Sequence, residues 1–288
     1  MTLWQSERLL AASRNFPYNF ISEVDNDSFK STFMSHLKRI QTVKDGIKDG
    51  DDVIYSFIKN QCNISGMNWD HYIFNPNDSK DVVLGLLKNF SVWFKQQFPY
   101  YYDNCLSCGN ARTNMWYGSV YPSTMERAYR AGKTELYSCT QCNCTSRFPR
   151  FNEVQKVLET KRGRCGEYSI LIFRMLKVLG YNVRYIADWA DHVWVEAKVQ
   201  NDWIHIDPCE AAVNEPLIYQ GWGKNQTYIF SFSFDDTEDV TQFYTTNYNA
   251  TLMRREADKV DDKTIQETLL EARGILTAVS NTDNPLHK

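Results

Sequence analysis

The stretch GRCGEYSILIFRMLKVLGY at residues 163–181 decides the fold and much of the chemistry of this chain. Apolar residues recur in it at helical spacing, which predicts a helix over residues 168–179. Gly180 follows at the position where a glycine commonly ends a helix. Cys165 then lies at the N-terminus of that helix, where the dipole and the free N–H groups favour a thiolate over a thiol.

Predicted strands downstream carry an imidazole and a carboxylate. Residues 182–187 are rich in β-formers, and residues 192–199 and 203–207 alternate between two faces. An antiparallel pairing of the last two strands brings His192, near the start of one, beside Asp207 at the end of the other. Such a group can activate a cysteine nucleophile. The imidazole takes the proton of the thiol, and the carboxylate fixes the orientation of the imidazole ring.

The residues alone leave two alternatives open. Cysteine is often a buried small hydrophobe, although the glycines flanking Cys165 let the backbone approach a ligand closely. His205 competes with His192 for the role of base, since it lies two residues from Asp207 on the same strand face. Spacing favours His192 only by about two to one, on the argument that nucleophile and base come from separate elements.

Two CxxC pairs lie upstream of this region and predict a metal site. Cys105 and Cys108 form the first pair, and Cys139 and Cys142 form the second. Four thiolates at such spacing bind one structural Zn²⁺ in many small domains. Disulfides are the alternative, but eight cysteines in 288 residues are not a dense disulfide framework. Cys144 is then a spare neighbour of the second pair.

Composition indicates a globular chain. Hydrophobic residues make up 43% of it, no apolar run approaches membrane-spanning length, and the net charge of −3 gives no basis for nucleic-acid binding. The first residues lack the layout of a signal peptide. One of seven Asn-x-Ser/Thr sequons, at Asn143, directly follows Cys142 within the predicted zinc knuckle, where a glycan would be intolerable. These features predict a cytoplasmic protein without a membrane span.

Helical patterns outside the catalytic region predict four further helices, over residues 25–45, 51–60, 81–97 and 261–277. We expect one integrated catalytic unit in an α+β fold. Its predicted regions are an N-terminal helical region at 1–98, a zinc-binding subdomain at 99–150, a catalytic core at 151–250, and a C-terminal helix and tail at 251–288. The active-site cleft is expected between the zinc subdomain and the sheet.

The motifs GRCGE, LGY, VRY, DHVWVE, WIHIDPCE and GWGK, in this order between about residues 93 and 244, resemble the cytoplasmic peptide:N-glycanases. These belong to the transglutaminase-like superfamily of papain-related cysteine enzymes. The resemblance implies a core with an antiparallel sheet, surrounding helices and a zinc-binding subdomain. It assigns the triad to Cys165, His192 and Asp207, and so decides against His205. Gln242 and Phe243 depart from the family's usual arginine-tyrosine pair.

The resemblance also implies the chemistry, which is hydrolysis of the amide between an N-linked glycan and asparagine, leaving aspartate. Zinc is the only cofactor it implies, and the metal is structural. Glu210, Trp194, Trp222 and Arg184 match positions near the family's glycan-binding region, although core packing is an equal alternative for the two tryptophans.

The implied partners are denatured N-glycosylated proteins and a ubiquitin-receptor shuttle protein. The resemblance is to the short fungal-type enzyme, and the shuttle is expected on the N-terminal helical region, around residues 1–45. The location implied is the cytoplasm or nucleus, in support of proteasomal degradation. Two alternatives use the same residues: another transglutaminase-like protease or transglutaminase, and a non-catalytic scaffold that binds glycans or the shuttle.

Overall fold

The computed structural model describes residues 24–64, 68–100, 104–111 and 113–282 of the chain. Its helices, in chain order, are α1 Asn26–Ile64, α2 Lys80–Gln97, α3 Thr124–Ala128, α4 Val154–Thr160, α5 Cys165–Val178, α6 Ile218–Gly221, α7 Tyr248–Glu256 and α8 Asp262–Thr282. Its strands are β1 Asn114–Val120, β2 Ala131–Cys139, β3 Thr145–Phe151, β4 Val183–Asp188, β5 His192–Val199, β6 Asp202–Asp207, β7 Ala212–Val213, β8 Ile229–Phe232 and β9 Thr237–Asp239. Short 3-10 helices cover Trp69–Tyr72 and Thr241–Tyr244.

The larger sheet has six strands in the order β7-β6-β5-β4-β8-β9, and every neighbouring pair is antiparallel. A tight turn joins β4 to β5, so that Asp188 lies opposite His192. Asp191 within that turn adopts a left-handed φ of 58°, a conformation that aspartate tolerates better than most residues. The hairpin from β5 to β6 pairs Val195 with Ile206, which places Asp207 beside the N-terminal end of β5.

Helix α5 packs directly on this sheet and forms the centre of the core. Leu171, Ile172 and Phe173 are wholly buried, and burial of each such side chain stabilises the fold by about 1.5–3 kcal/mol. The Ser169 hydroxyl donates a 2.9 Å hydrogen bond to the Val193 carbonyl, which ties the first turns of the helix to β5. Helix α5, which begins at Cys165, and strand β5, which begins at His192, are therefore held in one rigid unit.

The smaller sheet has three antiparallel strands in the order β1-β2-β3. Strands β1 and β2 run between the two CxxC pairs, and β3 follows the second pair and leads through α4 into α5. The strands and helices together make an α+β fold with antiparallel sheets, as predicted. Over the part of the chain that the structure describes, none of the helices is both long and apolar enough to cross a membrane.

The prediction of separate helices at 25–45 and 51–60 is wrong, because α1 runs unbroken from Asn26 to Ile64. The glycines at 46 and 50 disfavour helix by about 1 kcal/mol each. The helix nevertheless continues through them, and buried side chains on both sides, including Val43 and Ile54, join one core. The helix predicted at 168–179 is confirmed but begins three residues earlier, at Cys165, and Gly180 has the left-handed φ of 87° expected of a helix-ending glycine.

Candidate active site

Cys165 is the first residue of α5, and its neighbours are arranged to hold it there. The Glu167 carboxylate turns back to accept the Arg164 N–H at 3.0 Å, a closure typical of helix N-termini. Gly163 is required by packing, because a Cβ at that position would lie 2.6 Å from the Tyr168 ring. As the first helical residue, Cys165 also has a backbone N–H outside the intrahelical ladder, available to a ligand.

His192 and Asp207 meet as the antiparallel pairing predicted. His192 Nε2 lies 2.7 Å from Asp207 Oδ2, and both side chains are buried. Since Asp207 occupies Nε2, the other ring nitrogen, Nδ1, is left for the Cys165 thiol. The three side chains come from α5, β5 and β6, so each is supplied by a different element of the core.

The electrostatics of this group favour an ion pair between thiolate and imidazolium. Burial raises the pKa of Cys165, but hydrogen bonding to His192 and its charge outweigh that effect and leave the pKa below its ordinary value. Burial lowers the pKa of His192, yet the Asp207 charge and hydrogen bond raise it overall to about 9. Burial of Asp207 is likewise outweighed by His192, so the pKa of this carboxyl is lowered.

Asp207 has all of its acceptor capacity in use. Its Oδ1 accepts the backbone N–H groups of Cys209 at 2.9 Å and Glu210 at 3.3 Å. Its Oδ2 accepts from His192 and from the Tyr219 hydroxyl at 3.1 Å. A carboxylate that receives several donors remains ionised when buried, so Asp207 is fixed as an anion facing the His192 ring.

His205 lies behind this carboxylate and not beside the thiol. Its Nε2 is 2.7 Å from the Tyr219 oxygen, and burial lowers its pKa to about 4. Because the Tyr219 hydroxyl gives its proton to Asp207, His205 must donate from Nε2 and is neutral. The four groups therefore form one chain, from His205 through Tyr219 and Asp207 to His192.

Ion pairs on the other side join helix α5 to the smaller sheet. Arg150 on β3 donates to Glu167 from Nε at 2.7 Å and from Nη2 at 3.0 Å. It also donates to Glu135 on β2 at 3.0 Å, and Glu135 pairs with Arg164 at 2.9 Å. Burial raises the pKa of Glu167, but the Arg150 charge more than offsets this and the pKa is lowered. The smaller sheet thus holds the residues on both sides of Cys165.

Two of the four predicted substrate-binding residues are structural as they stand. Trp194 is fully buried, donates from Nε1 to the Tyr244 hydroxyl at 2.8 Å, and stacks on Tyr219. Arg184 is also buried, paired with Glu196 and with Glu238, the latter at 2.7 Å. We therefore correct both expectations, because neither side chain presents a surface to a ligand.

Trp222 and Glu210 lie closer to the expected role. The Trp222 ring is partly exposed and meets the His192 ring edge-on, with centroids 5.4 Å apart. Glu210 follows the triad strand directly, and its carboxylate lies 3.9 Å from Lys95 Nζ. Both residues border the His192–Asp207 pair. The exposed part of the Trp222 ring can contact a molecule bound there, whereas the Glu210 side chain is only 5% exposed.

The four predicted metal ligands converge on one point. Cys105 Sγ is 3.6 Å from Cys142 Sγ, Cys108 Sγ is 3.7 Å from Cys139 Sγ, and all four sulfurs lie within 4.8 Å of one another. A tetrahedron with Zn–S bonds of about 2.3 Å has sulfurs about 3.8 Å apart, so the cluster fits a metal ion. A disulfide requires about 2.05 Å and is excluded for these pairs.

Backbone donors support the same cluster. The N–H groups of Ser107 and Gln141 each lie 3.4 Å from the sulfur of the first cysteine in their pair. Such donors stabilise thiolates bound to a metal. Cys144 is exposed and outside the cluster, and Cys209 is buried near Asp207. Cys62 lies on α1, with its side chain outside the described part of the chain.

Sequence reasoning did not identify Tyr219 or Arg150, although both touch the site. Tyr219 lies on the four-residue helix α6, twelve positions beyond Asp207, and no local spacing connects the two. In the sequence, Arg150 resembles any charged residue near the end of a strand and gives no sign of a role at the site. Only the tertiary structure places Tyr219 and Arg150 near the group formed by Cys165, His192 and Asp207.

The chain is similar to several known proteins. Residues 118–208 match the family model described as the transglutaminase-like superfamily. Three similar curated proteins are named peptide-N(4)-(N-acetyl-beta-glucosaminyl)asparagine amidase. The chicken protein is 37% identical over 198 residues, covering 67% of this chain and 29% of the relative. The Arabidopsis thaliana protein is 41% identical over 186 residues, covering 63% of this chain and 25% of the relative. The Yarrowia lipolytica protein is 37% identical over 189 residues, covering 64% of this chain and 53% of the relative.

Two solved structures with a related outline are Rad4–Rad23 complexes. One, crosslinked to undamaged DNA, has a TM-score of 0.45 at 10% identity, over 87% of this chain and 59% of that chain. The other, bound to a 6-4 photoproduct lesion, has a TM-score of 0.40 at 10% identity, over 89% of this chain and 61% of that chain. Likeness at this level carries no argument about function.

The chain spans between about a quarter and a half of the length of the three curated relatives it matches. The family-model match at residues 118–208 includes Cys165, His192 and Asp207. The chain therefore belongs to the transglutaminase-like superfamily and is a homologue of the peptide-N(4)-(N-acetyl-beta-glucosaminyl)asparagine amidases.

Proposed function

We propose that this protein hydrolyses the amide that joins an N-linked glycan to an asparagine side chain. The observation that carries the proposal is the hydrogen-bonded His192–Asp207 pair facing a helix-terminal Cys165. The names of the relatives specify the substrate class, since the same triad alone would also serve other acyl-transfer reactions.

In the first step, the Cys165 thiolate attacks the carbonyl carbon of the asparagine side-chain amide. A carbon–sulfur bond forms, and the negative charge that develops on oxygen is stabilised by the Cys165 backbone N–H. The carbon–nitrogen bond then breaks, and the His192 imidazolium gives its proton to the departing nitrogen. The products are a thioester on Cys165 and a glycosylamine.

In the second step, water attacks the thioester while neutral His192 takes its proton. The carbon–oxygen bond forms, the carbon–sulfur bond breaks, and the thiolate and imidazolium are restored. Aspartate remains in the polypeptide. Asp207 keeps the ring oriented and offsets its positive charge in both steps.

We also propose that Cys105, Cys108, Cys139 and Cys142 bind one structural Zn²⁺. The sulfur spacing and the N–H donors support this assignment. A bound ion would hold the two CxxC loops together, and through β2 and β3 it would stabilise the sheet that carries Glu135 and Arg150. It takes no part in the chemistry.

The substrates proposed are unfolded glycoproteins, with Trp222 and Glu210 beside the sugar nearest the asparagine. Their position next to the triad supports this. We further propose that a ubiquitin-receptor shuttle protein binds the N-terminal helical region, and that the protein acts in the cytoplasm. The expected shuttle region, around residues 1–45, lies partly outside the described residues, which begin at Val24.

Deglycosylation of a denatured high-mannose glycoprotein tests the activity. Wild type should release the glycan and Cys165→Ala should not. Cys209→Ala is the matched control, because it removes a buried thiol near Asp207 that has no part in the mechanism. Glycan release by Cys165→Ala would overturn the assignment of the nucleophile. Transfer of the acyl group to an added amine, with no hydrolysis, would favour a transglutaminase.

A further inference from the structure

We propose that Lys224 is a positioning residue for His192. Its ammonium fixes the turn from which the His192 strand begins, and so holds the imidazole in place for the Cys165 thiol. This role deepens the proposed function, on which it rests, because it explains what aligns the base with the nucleophile. The contacts that support it join the β4–β5 turn, residues 189–191, to the segment that follows α6, residues 222–226.

Lys224 contacts the turn through the carbonyl of Ala190. Its Nζ donates to that oxygen at 2.5 Å, and among the described residues no other group donates to it. The Ala190 N–H donates to Asp188 Oδ1 at 2.9 Å, and Gln226 Nε2 donates to Asp188 Oδ2 at 3.2 Å. Both backbone groups of Ala190 are therefore bound, the N–H by Asp188 and the carbonyl by Lys224.

Charge strengthens this attachment. A hydrogen bond from an ammonium is about twice as strong as one between neutral groups. Asp188 is buried, and burial raises the pKa of its carboxyl while the Lys224 charge acts against that rise. Because Asp188 lies directly opposite His192 in the β4–β5 pairing, Lys224 acts on both ends of the turn that leads to the base.

The conformation of the turn determines where the His192 ring lies. Asp191 closes the turn with a left-handed φ of 58°, and His192 follows it as the first residue of β5. A left-handed conformation costs free energy for a residue with a side chain, so it persists only where neighbouring contacts fix it. Displacement of a catalytic group by about 1 Å can cost about a hundredfold in rate. A loosened turn should therefore impair the base without removing it.

The segment that carries Lys224 also touches the ring itself. Trp222 meets the His192 ring edge-on, with centroids 5.4 Å apart. Arg254 on α7 donates to the Gln226 carbonyl at 2.6 Å, which anchors the segment from its other side. His192 is thus held at its ring by Trp222 and at its backbone, through the turn, by Lys224.

Alkylation of Cys165 tests this role without a glycoprotein. The rate of reaction with iodoacetamide at Cys165 would be followed by mass spectrometry of its peptide, as a function of pH. Lys224→Met should react about tenfold more slowly near pH 6, because a misplaced His192 no longer lowers the pKa of the thiol. Lys224→Arg keeps the charge and a donor, so it should restore most of the wild-type rate.

Two further variants guard this comparison. Lys224→Gln removes the charge and shortens the side chain but stays polar, so it should show the same loss and serves if Lys224→Met does not fold. Lys263→Met removes an exposed lysine on α8 and should react as wild type does. Melting temperatures would be measured for each variant, since a purely structural lysine would lower the melting temperature without changing the alkylation rate.

A second background separates positioning from a direct effect of the charge. In His192→Ala protein, Lys224→Met should change the rate by less than about twofold, because no imidazole is left to position. A loss of about tenfold in that background would overturn the inference, since the Lys224 charge would then act on the thiol directly. An unchanged rate in the single Lys224 variants would overturn it as well.

This inference and the amidase proposal can fail separately. Wild type that releases no glycan from a denatured glycoprotein would overturn the amidase assignment. The alkylation rates would still decide whether Lys224 positions His192, because they require neither a glycan nor a polypeptide substrate.

Discussion

The Tyr219 hydroxyl donates a hydrogen bond to Asp207 at 3.1 Å, on the same carboxylate oxygen that pairs with His192. It also lies 2.7 Å from His205, which burial keeps neutral. Tyr219 therefore links the candidate triad to a second buried histidine, and the carboxylate is held from both sides.

We predict that Tyr219→Phe weakens the triad without removing it. Loss of one donor raises the pKa of Asp207, so the acid limb of the pH–rate profile for kcat should move to higher pH. The buried His205 Nε2 also loses its partner, which should cost about 1–3 kcal/mol of folding free energy. Combined measurements of pH–rate profiles and urea unfolding check both effects.

His205→Gln is the companion variant, because an amide can still donate to the Tyr219 oxygen. It should leave the pH–rate profile near that of wild type if a hydrogen bond to Tyr219 is all that His205 supplies. A shift as large as that of Tyr219→Phe would show that the imidazole itself is needed.

The Cys165–His192 pair should give the thiol an unusual pH dependence. Because the pKa of Cys165 is lowered, alkylation by iodoacetamide should be fast below the pH at which ordinary thiols react. His192→Ala removes the charge and hydrogen bond responsible, so the alkylation midpoint should move to higher pH. An unchanged midpoint would show that the imidazole does not activate the thiol.

His192 should also make stability depend on pH. Its folded pKa of about 9 is above the ordinary value of 6.5, so the protonated ring stabilises the folded state. That contribution is complete below about pH 6.5 and is lost as the pH rises through about 9. The difference in melting temperature between wild type and His192→Gln should therefore narrow between these pH values, and a constant difference would contradict the assignment.

The cysteine cluster predicts a metal-dependent fold. Cys139→Ser should lose the zinc measured by mass spectrometry and lower the melting temperature, because the CxxC loops would no longer be joined. Cys144→Ser is the matched control, since it changes an exposed thiol outside the cluster. Equal zinc content in both variants would show that these four cysteines are not the ligands.

The two glycines near Cys165, Gly163 and Gly166, should differ in how well they tolerate substitution by alanine. Gly163→Ala places a methyl group 2.6 Å from the Tyr168 ring and should destabilise the fold by about 1–3 kcal/mol. Gly166→Ala meets its nearest atoms at 3.6 Å and should be near neutral in urea unfolding. The opposite order would mean that the first turn of α5 is packed differently.

Local sequence pattern was sufficient to predict those elements whose structure depends on residue periodicity or spacing within a short segment. The helix after Cys165, the strand bearing His192 and the two CxxC pairs were all predictable from short segments. The unbroken α1 was not, because glycines at 46 and 50 lower helix propensity locally while long-range packing keeps the helix intact.

Burial explains the remaining differences. Trp194 was a possible ligand-binding aromatic by position, but Tyr244 and Tyr219 enclose it from elements that are distant in sequence. Arg184 is enclosed in the same way by Glu196 and Glu238. A strand pattern tells which face a residue occupies, but it does not tell what covers that face.

The most direct test of the central claim is the mass of the former glycosylation site after reaction in ¹⁸O-labelled water. Attack by Cys165 on the asparagine carbonyl, followed by hydrolysis, predicts conversion of asparagine to aspartate with one labelled oxygen, a gain of about three mass units. The gain should appear with wild type and be absent with Cys165→Ala. Glycan release that leaves an unlabelled asparagine bearing a residual sugar would contradict the account, because the bond broken would then lie within the glycan.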